Sequence, residues 1–197
     1  MKLLSFSVAL VFGGFSLLPA AANAVDAYPS RAITVIVPFV PGGVTDLLAR
    51  TVSRKLSEKL GQPVAVENKG GAGTIVAAAA TAKAPADGYT LMMATGSTMS
   101  INSSLYKSLP YDPDKELTPV AMVASSPFLL VTNPDLPVKS VADLINLAKS
   151  QPGKLNYGTG GVGSTVSVLP ALMKSMTGTQ MNEVPYRGTT PALTDTM

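Results

Sequence analysis

Residues 33–50, reading I-T-V-I-V-P-F-V-P-G-G-V-T-D-L-L-A-R, constrain the fold more than any other stretch of the chain. Ile33 to Val37 is an unbroken run of β-branched residues, the kind that fills a buried strand. Pro38, Pro41, Gly42 and Gly43 end that strand, and Thr45 followed by Asp46 marks a helix start. Strand, stiff loop and helix N-terminus in succession aim free backbone N–H groups at one point. The partial positive charge there suits a carboxylate or a phosphate, although an ordinary βα turn has the same pattern.

The preceding residues place the chain outside the cytoplasm. Residues 1–24 carry one early positive charge (Lys2), an apolar stretch from Leu3 to Leu18, and the small-residue ending Ala22-Asn23-Ala24. This pattern is a secretory signal peptide cleaved before Val25, and the apolar stretch is short for a membrane span. The chain has no cysteine, so neither a lipid anchor on a mature N-terminal Cys nor a disulfide is available. The expected mature protein is soluble, periplasmic and held together by a hydrophobic core.

Composition excludes much chemistry. Without His or Cys the chain cannot build Ser–His–Asp or Cys–His nucleophile systems, or the usual zinc sites. The net charge is +3, of which Lys2 supplies one, and no basic run or basic-aromatic cluster exists. Nucleic acid is therefore not an expected partner. Asp112 and Asp114 lie in the Pro-broken stretch P-Y-D-P-D-K-E and read as a solvated turn, not as a metal or acid–base site. No catalytic residue, cofactor or metal is expected.

Along the chain, strand and helix patterns alternate. Residues 45–60 put Leu48, Val52, Leu56 and Leu60 on one helical stripe that stops at Gly61. A strand at 64–67, a flexible Gly-rich turn at 69–73, an Ala-rich helix at 74–84, a strand at 89–94 and a polar loop at 95–98 follow. Two apolar runs, 120–124 and 128–132, read as strands passing between domains. Residues 138–150 form an amphipathic helix, and 155–157, 164–177, 182–185 and 191–197 read as strand, helix, strand and the start of a helix. Such alternation argues a parallel α/β sheet covered on both faces.

The chain resembles the periplasmic solute-binding proteins of tripartite tricarboxylate transporters, often called the Bug family. The resemblance rests on Pro38-Phe39-Val40-Pro41-Gly42-Gly43 with Asp46 and Ala49-Arg50, and on Val66-Glu67-Asn68 with Gly71-Ala72-Gly73. Pro85-Ala86-Asp87-Gly88-Tyr89-Thr90-Leu91, Leu105-Tyr106 and Leu109-Pro110-Tyr111-Asp112-Pro113 continue it. Pro152-Gly153-Lys154-Leu155 with Tyr157-Gly158, and Val184-Pro185-Tyr186-Arg187-Gly188 with Pro191-Ala192, complete it in the family order. The resemblance implies a binding protein of the periplasmic type, with two α/β domains and a ligand cleft between them. Domain 1 spans 25–125 and domain 2 spans 126–197, the second incomplete here because family members are longer. It implies a monomer that captures a small carboxylate and delivers it to membrane permease subunits.

Phe39, Pro41, Gly42, Gly43 and Thr45 are the expected contacts on the first loop, with Asp46 offsetting the helix dipole. Ligands in α/β sheets lie beyond the carboxyl ends of strands. That rule adds Ser97 and Thr98 in domain 1, and Thr159, Gly160, Gly161, Ser164 and Thr165 in domain 2. Tyr186 and Arg187 follow the last strand, where Arg187 is placed either to pair with a distal carboxylate or as a surface charge.

Residues 158–163, G-T-G-G-V-G, also fit the dinucleotide pattern G-x-G-x-x-G, with Glu183 at the distance of a ribose-binding acid. The alternative reading is thus an exported nucleotide-dependent enzyme. Departures from the family pattern are Ser167 where a His is common, Pro170 within the same helix, Thr74-Ile75-Val76 in place of a Gly pair, and Ser103 where Pro is common. A chain ending at Met197 is expected to leave strand edges unpaired and to fold poorly alone.

Overall fold

A computed structural model describes residues 27–197; the expected signal peptide at 1–24 lies outside the described residues. Ile33–Val37 forms β1, which is buried along nearly its whole length. It pairs in parallel with β2 (Val64–Asn68) on one side and β3 (Thr90–Met92) on the other. Val35 and Val37 pack with Ala49 of helix α1 (Val44–Leu60), and Val64, Val66, Leu91 and Met93 close around them. Helix α1 ends where the sequence places its stop: Gly61 adopts φ +68 and returns its N–H to Ser57 O.

Beyond β2 the chain makes a 3₁₀ turn (Ala72–Thr74) and helix α2 (Ile75–Ala82). The expected polar loop at 95–98 differs in the structure. Ser97–Ile101 winds as a π-helical turn that runs into the short helix α3 (Asn102–Leu105). The turn is held because Ser97, Thr98 and Asn102 are all buried and find polar partners inside.

A second sheet is built by β4 (Asn156–Thr159) and β5 (Asn182–Pro185), again parallel. Helices α4 (Val141–Ser150), α5 (Thr165–Thr177) and α6 (Thr189–Thr196) belong with it. Helix α4 begins at Val141 and not at 138. Ser140 Oγ accepts Asp143 N–H at 3.1 Å while Asp143 Oδ2 accepts Lys139 N–H at 3.0 Å, a reciprocal cap.

The runs 120–124 and 128–132 are not strands. They carry no pairing and are exposed, with Val120, Met122 and Leu129 more than four-fifths open. A strand needs a neighbour for its backbone groups, and neither run pairs with an edge of either described sheet.

The loop between β1 and α1 is fixed by one buried carboxylate. Asp46 is 4% exposed. Its Oδ2 accepts Gly42 N–H and Arg50 Nε, each at 3.0 Å, and its Oδ1 accepts Asn68 Nδ2 at 2.9 Å. Asn68 Nδ2 also donates to Phe39 O, and Arg50 donates back to Asn68 Oδ1. Both ends of the loop are thereby tied to the end of β2. The Arg50 guanidinium, aided by Gly42 and Asn68, holds the Asp46 carboxyl down from 3.8 to about 2, against the opposing effect of burial.

A depressed carboxyl stabilises the fold above the unfolded-state value and loses that contribution as pH falls through the folded one. Stability should therefore drop between about pH 4 and pH 2 in part through Asp46. Asp46→Asn should cost about 1–3 kcal/mol near neutral pH, because it removes charge-assisted hydrogen bonds to buried donors. Urea midpoints measured against pH check both. The variant should show a shallower fall across the acid window, and parallel curves would separate Asp46 from the acid response.

Candidate functional site

The carboxyl ends of the two sheets face each other, and the loops leaving them enclose a cavity of about 160 Å³. One wall comes from Pro38 and Phe39 after β1, from residues 71–74 after β2, and from Tyr106 after α3. The other comes from Gly160, Gly161 and Val162 after β4, and from Tyr186 and Arg187 after β5. Every loop in the lining except that of Tyr106 leaves the C-terminal end of a strand.

The two walls meet closely. Gly73 has φ +59, and a Cβ there would lie 2.5 Å from Val162 O. Gly163 has φ +82, and a Cβ there would lie 3.0 Å from the Tyr106 hydroxyl. Only glycine satisfies both the left-handed backbone and the space. One hydrogen bond between the walls is found among the described residues, joining Ser97 Oγ and Thr165 Oγ1 at 3.1 Å.

Of the residues singled out in the sequence, Phe39, Gly160, Gly161, Tyr186 and Arg187 come together on the cavity. Pro41, Gly42 and Gly43 stand on the first loop and Thr45 in the first turn of α1, all outside this lining, and the Gly42 N–H is taken by Asp46. Thr98 is fully buried and donates to Thr74 Oγ1 at 3.0 Å. Ser164 precedes α5 and donates to Gly161 O at 2.6 Å, bracing the turn that carries Gly160 and Gly161. Thr159 is buried and donates to Glu183 Oε1 at 2.7 Å, as does Ser167, also at 2.7 Å.

That last arrangement removes the main support for the dinucleotide reading. Glu183 is the acid that would hold a ribose, and it instead ties β4 and α5 to β5 through two hydroxyl donors. Ser167, at the position where a His is common, serves this tie. Pro170 is accommodated inside α5, five residues past its first.

Residues 71–74, Tyr106, Pro38 and Val162 were not among the sequence-based site residues. The Lys69-Gly70-Gly71-Ala72-Gly73 run reads as a flexible turn, yet it follows the carboxyl end of β2, and the strand-end rule applies to it equally. Tyr106 carries no local signal of its role.

No acidic side chain lines the cavity, and Arg187 is its one charged lining residue. No ion pair to Arg187 is found among the described residues. The Tyr186 hydroxyl donates to Asp195 Oδ2 at 2.6 Å, which raises the phenol above its ordinary value and keeps it neutral. Tyr186 therefore offers the cavity its ring, with its hydroxyl engaged elsewhere. A wider hollow of about 650 Å³ lies around residues 103–116, rimmed by Asp112, Asp114, Glu116 and Lys107. Asp112 there accepts from Asp114 N, Lys115 N and Lys115 Nζ, so it is a self-contained turn.

The chain is 44% identical over 177 residues to Protein BugT of Bordetella pertussis, covering 89% of this chain and 54% of that protein. Among solved structures it matches R. palustris Rpa4515 with adipate at TM-score 0.83 and 43% identity, covering 86% of this chain and 56% of the other. It also matches MatC from Rhodopseudomonas palustris with bound malate at TM-score 0.81 and 36% identity, covering 86% and 57%. The chain thus spans about half the length of the curated relatives it matches. Residues 48–197 match the family described as Tripartite tricarboxylate transporter family receptor, and the chain belongs to that family.

Proposed function

We propose that this protein is the periplasmic receptor of a tripartite tricarboxylate-type transporter, capturing a small carboxylate and passing it to membrane permease subunits. The observation that carries the reading is the charge pattern of the cavity: a cation, apolar rings and glycine-rich backbone, with no carboxylate facing in. An anion entering it meets attraction at Arg187 and no like charge. Phe39, Gly160, Gly161, Tyr186 and Arg187 are the proposed direct contacts. Pro41, Gly42 and Gly43 of the first loop, with Thr45, shape the entrance beside them.

The two sheets act as lobes, divided near residue 125, that hinge in the segment 125–134. The ligand bridges them and populates the closed state. Capture and release need no bond to be made or broken and so call for no cofactor, and the proposed receptor works as a monomer. Malate and adipate, the molecules named with the two R. palustris structures, are the first probes to try.

Calorimetric titration with malate, adipate, citrate and NAD tests the assignment. Binding of a carboxylate without NAD is expected, whereas NAD binding alone would overturn it. Arg187→Met should weaken the bound carboxylate about 10–100-fold, the loss expected for one charge-assisted hydrogen bond. Unchanged affinity would make Arg187 a surface charge. Gly73→Ala should hold the lobes apart, because its methyl would meet Val162 O at 2.5 Å. Small-angle scattering should then show less compaction on ligand addition than in the parent protein.

A further inference from the structure

Three unfavourable features coincide on one wall of the cleft. Ala72 and Thr74 both adopt left-handed backbone conformations, φ +45 and φ +85, although neither is glycine. For a β-branched residue such as Thr this is a strained conformation. Beneath them Asn102 is completely buried, and its Oδ1 has no hydrogen-bond partner among the described residues. Stability alone does not favour any of the three, and such features persist where surrounding structure over-determines them.

The over-determining structure is a buried polar hub. Asn102 Nδ2 lies 3.1 Å from Gly73 O, 3.2 Å from Thr74 Oγ1 and 3.1 Å from the Tyr111 hydroxyl. Tyr111 in turn donates to Thr98 O at 2.8 Å, and Thr98 Oγ1 donates to Thr74 Oγ1 at 3.0 Å. The hub grips the strained turn from behind. Its consequence for the cavity is electrostatic. Gly73 lines the cleft, and its carbonyl oxygen would repel an incoming anion if it turned inward; Asn102 holds that oxygen in the interior.

We infer that Asn102 is a positioning residue for ligand capture: it touches no ligand, but by fixing the Gly73 carbonyl and the Ala72–Thr74 turn it keeps the cleft receptive to an anion. This rests on the carboxylate reading above. Without the Nδ2 donor, the peptide after Gly73 is free to rotate, Thr74 relaxes from its strained conformation, and the wall loses its shape.

The test compares Asn102→Ala with Leu144→Ala, a core truncation in α4 that does not line the cleft. Asn102→Leu, close in volume and without a donor, replaces the alanine variant if that chain does not fold. Affinities for malate and adipate are measured together with hydrogen exchange at the Thr74 amide, which donates to Gly71 O at 3.2 Å. The Asn102 variant is expected to lose about tenfold or more in affinity for whichever probe the parent binds, with faster Thr74 exchange. Leu144→Ala should lower the melting midpoint while leaving both readouts near the parent's.

Parent-like affinity in the Asn102 variant, or an equal affinity loss in Leu144→Ala, overturns the positioning role. Failure of both Asn102 variants to fold also overturns it, because the residue would then be structural. If the parent binds neither probe nor citrate, the carboxylate reading is what fails. Thr74 exchange still decides the hub: faster exchange in the Asn102 variant alone supports it, and unchanged exchange refutes it.

Discussion

Parallel pairing of β1 with both of its neighbours is the constraint on which the rest of the molecule depends. Parallel strands share a direction, so the register Ile33↔Val64 and Thr34↔Thr90 brings all three carboxyl ends to one edge. The loops that follow must then crowd together above that edge. The β4–β5 pair, with Asn156↔Asn182, does the same on the opposing side. A cleft between two carboxyl edges is thus a product of topology, and side chains only tune it. Val35, Val37 and Ala49 form the cluster at the centre of the first sheet, and Ile33 and Ile36 of the same strand are buried beside them, whereas β2 alternates between half-buried and exposed positions.

The tuning is largely a matter of turning negative charge away. Asp46, Glu183 and Asp195 all stand on elements that build the cleft, and each is engaged by donors outside it. Arg50, Gly42 and Asn68 hold Asp46; Thr159 and Ser167 hold Glu183; the Tyr186 hydroxyl holds Asp195. These bonds have a structural effect and an electrostatic one. They brace the loops, and they leave Arg187 as the one charged side chain lining the cavity.

Much of this was legible in the sequence, for identifiable reasons. The β-branched run of β1 and the Leu stripe and Gly61 stop of α1 are local signals, and local signals determined those elements. The start of α4 was also local but lay in the Ser140–Asp143 cap, which outweighed the apolar Val138. Residues 120–132 misled because β-propensity makes a strand only where the run is paired, and these runs pair with neither described sheet. The cavity wall at 71–74 misled in the opposite way. Its glycines suggest freedom, whereas Asn102, Thr98 and Tyr111, distant in sequence, lock the turn from within. The direct bond from Asn102 to Gly73 closes a sequence separation of 29 residues, beyond the reach of any periodicity. Glu183 sat at the spacing of a ribose-binding acid, and only the hydroxyls of Thr159 and Ser167 beside it show a different use.

The contact between the walls is sparse, which fits the capture and release proposed above. Where the lobes touch, glycine backbone meets a carbonyl or a ring edge, as at Gly73 with Val162 and Gly163 with Tyr106. Such contacts permit close approach while burying little apolar area, so they contribute little stabilisation of their own. One hydroxyl–hydroxyl bond, Ser97 to Thr165, crosses between the walls among the described residues. A neutral hydrogen bond of this kind is worth about 0.5–1.5 kcal/mol, less than the several kcal/mol needed to move a two-state equilibrium from mostly open to mostly closed. On the reading proposed above, closure would draw most of its free energy from the ligand that bridges the cleft, because the contacts between the walls supply little of it.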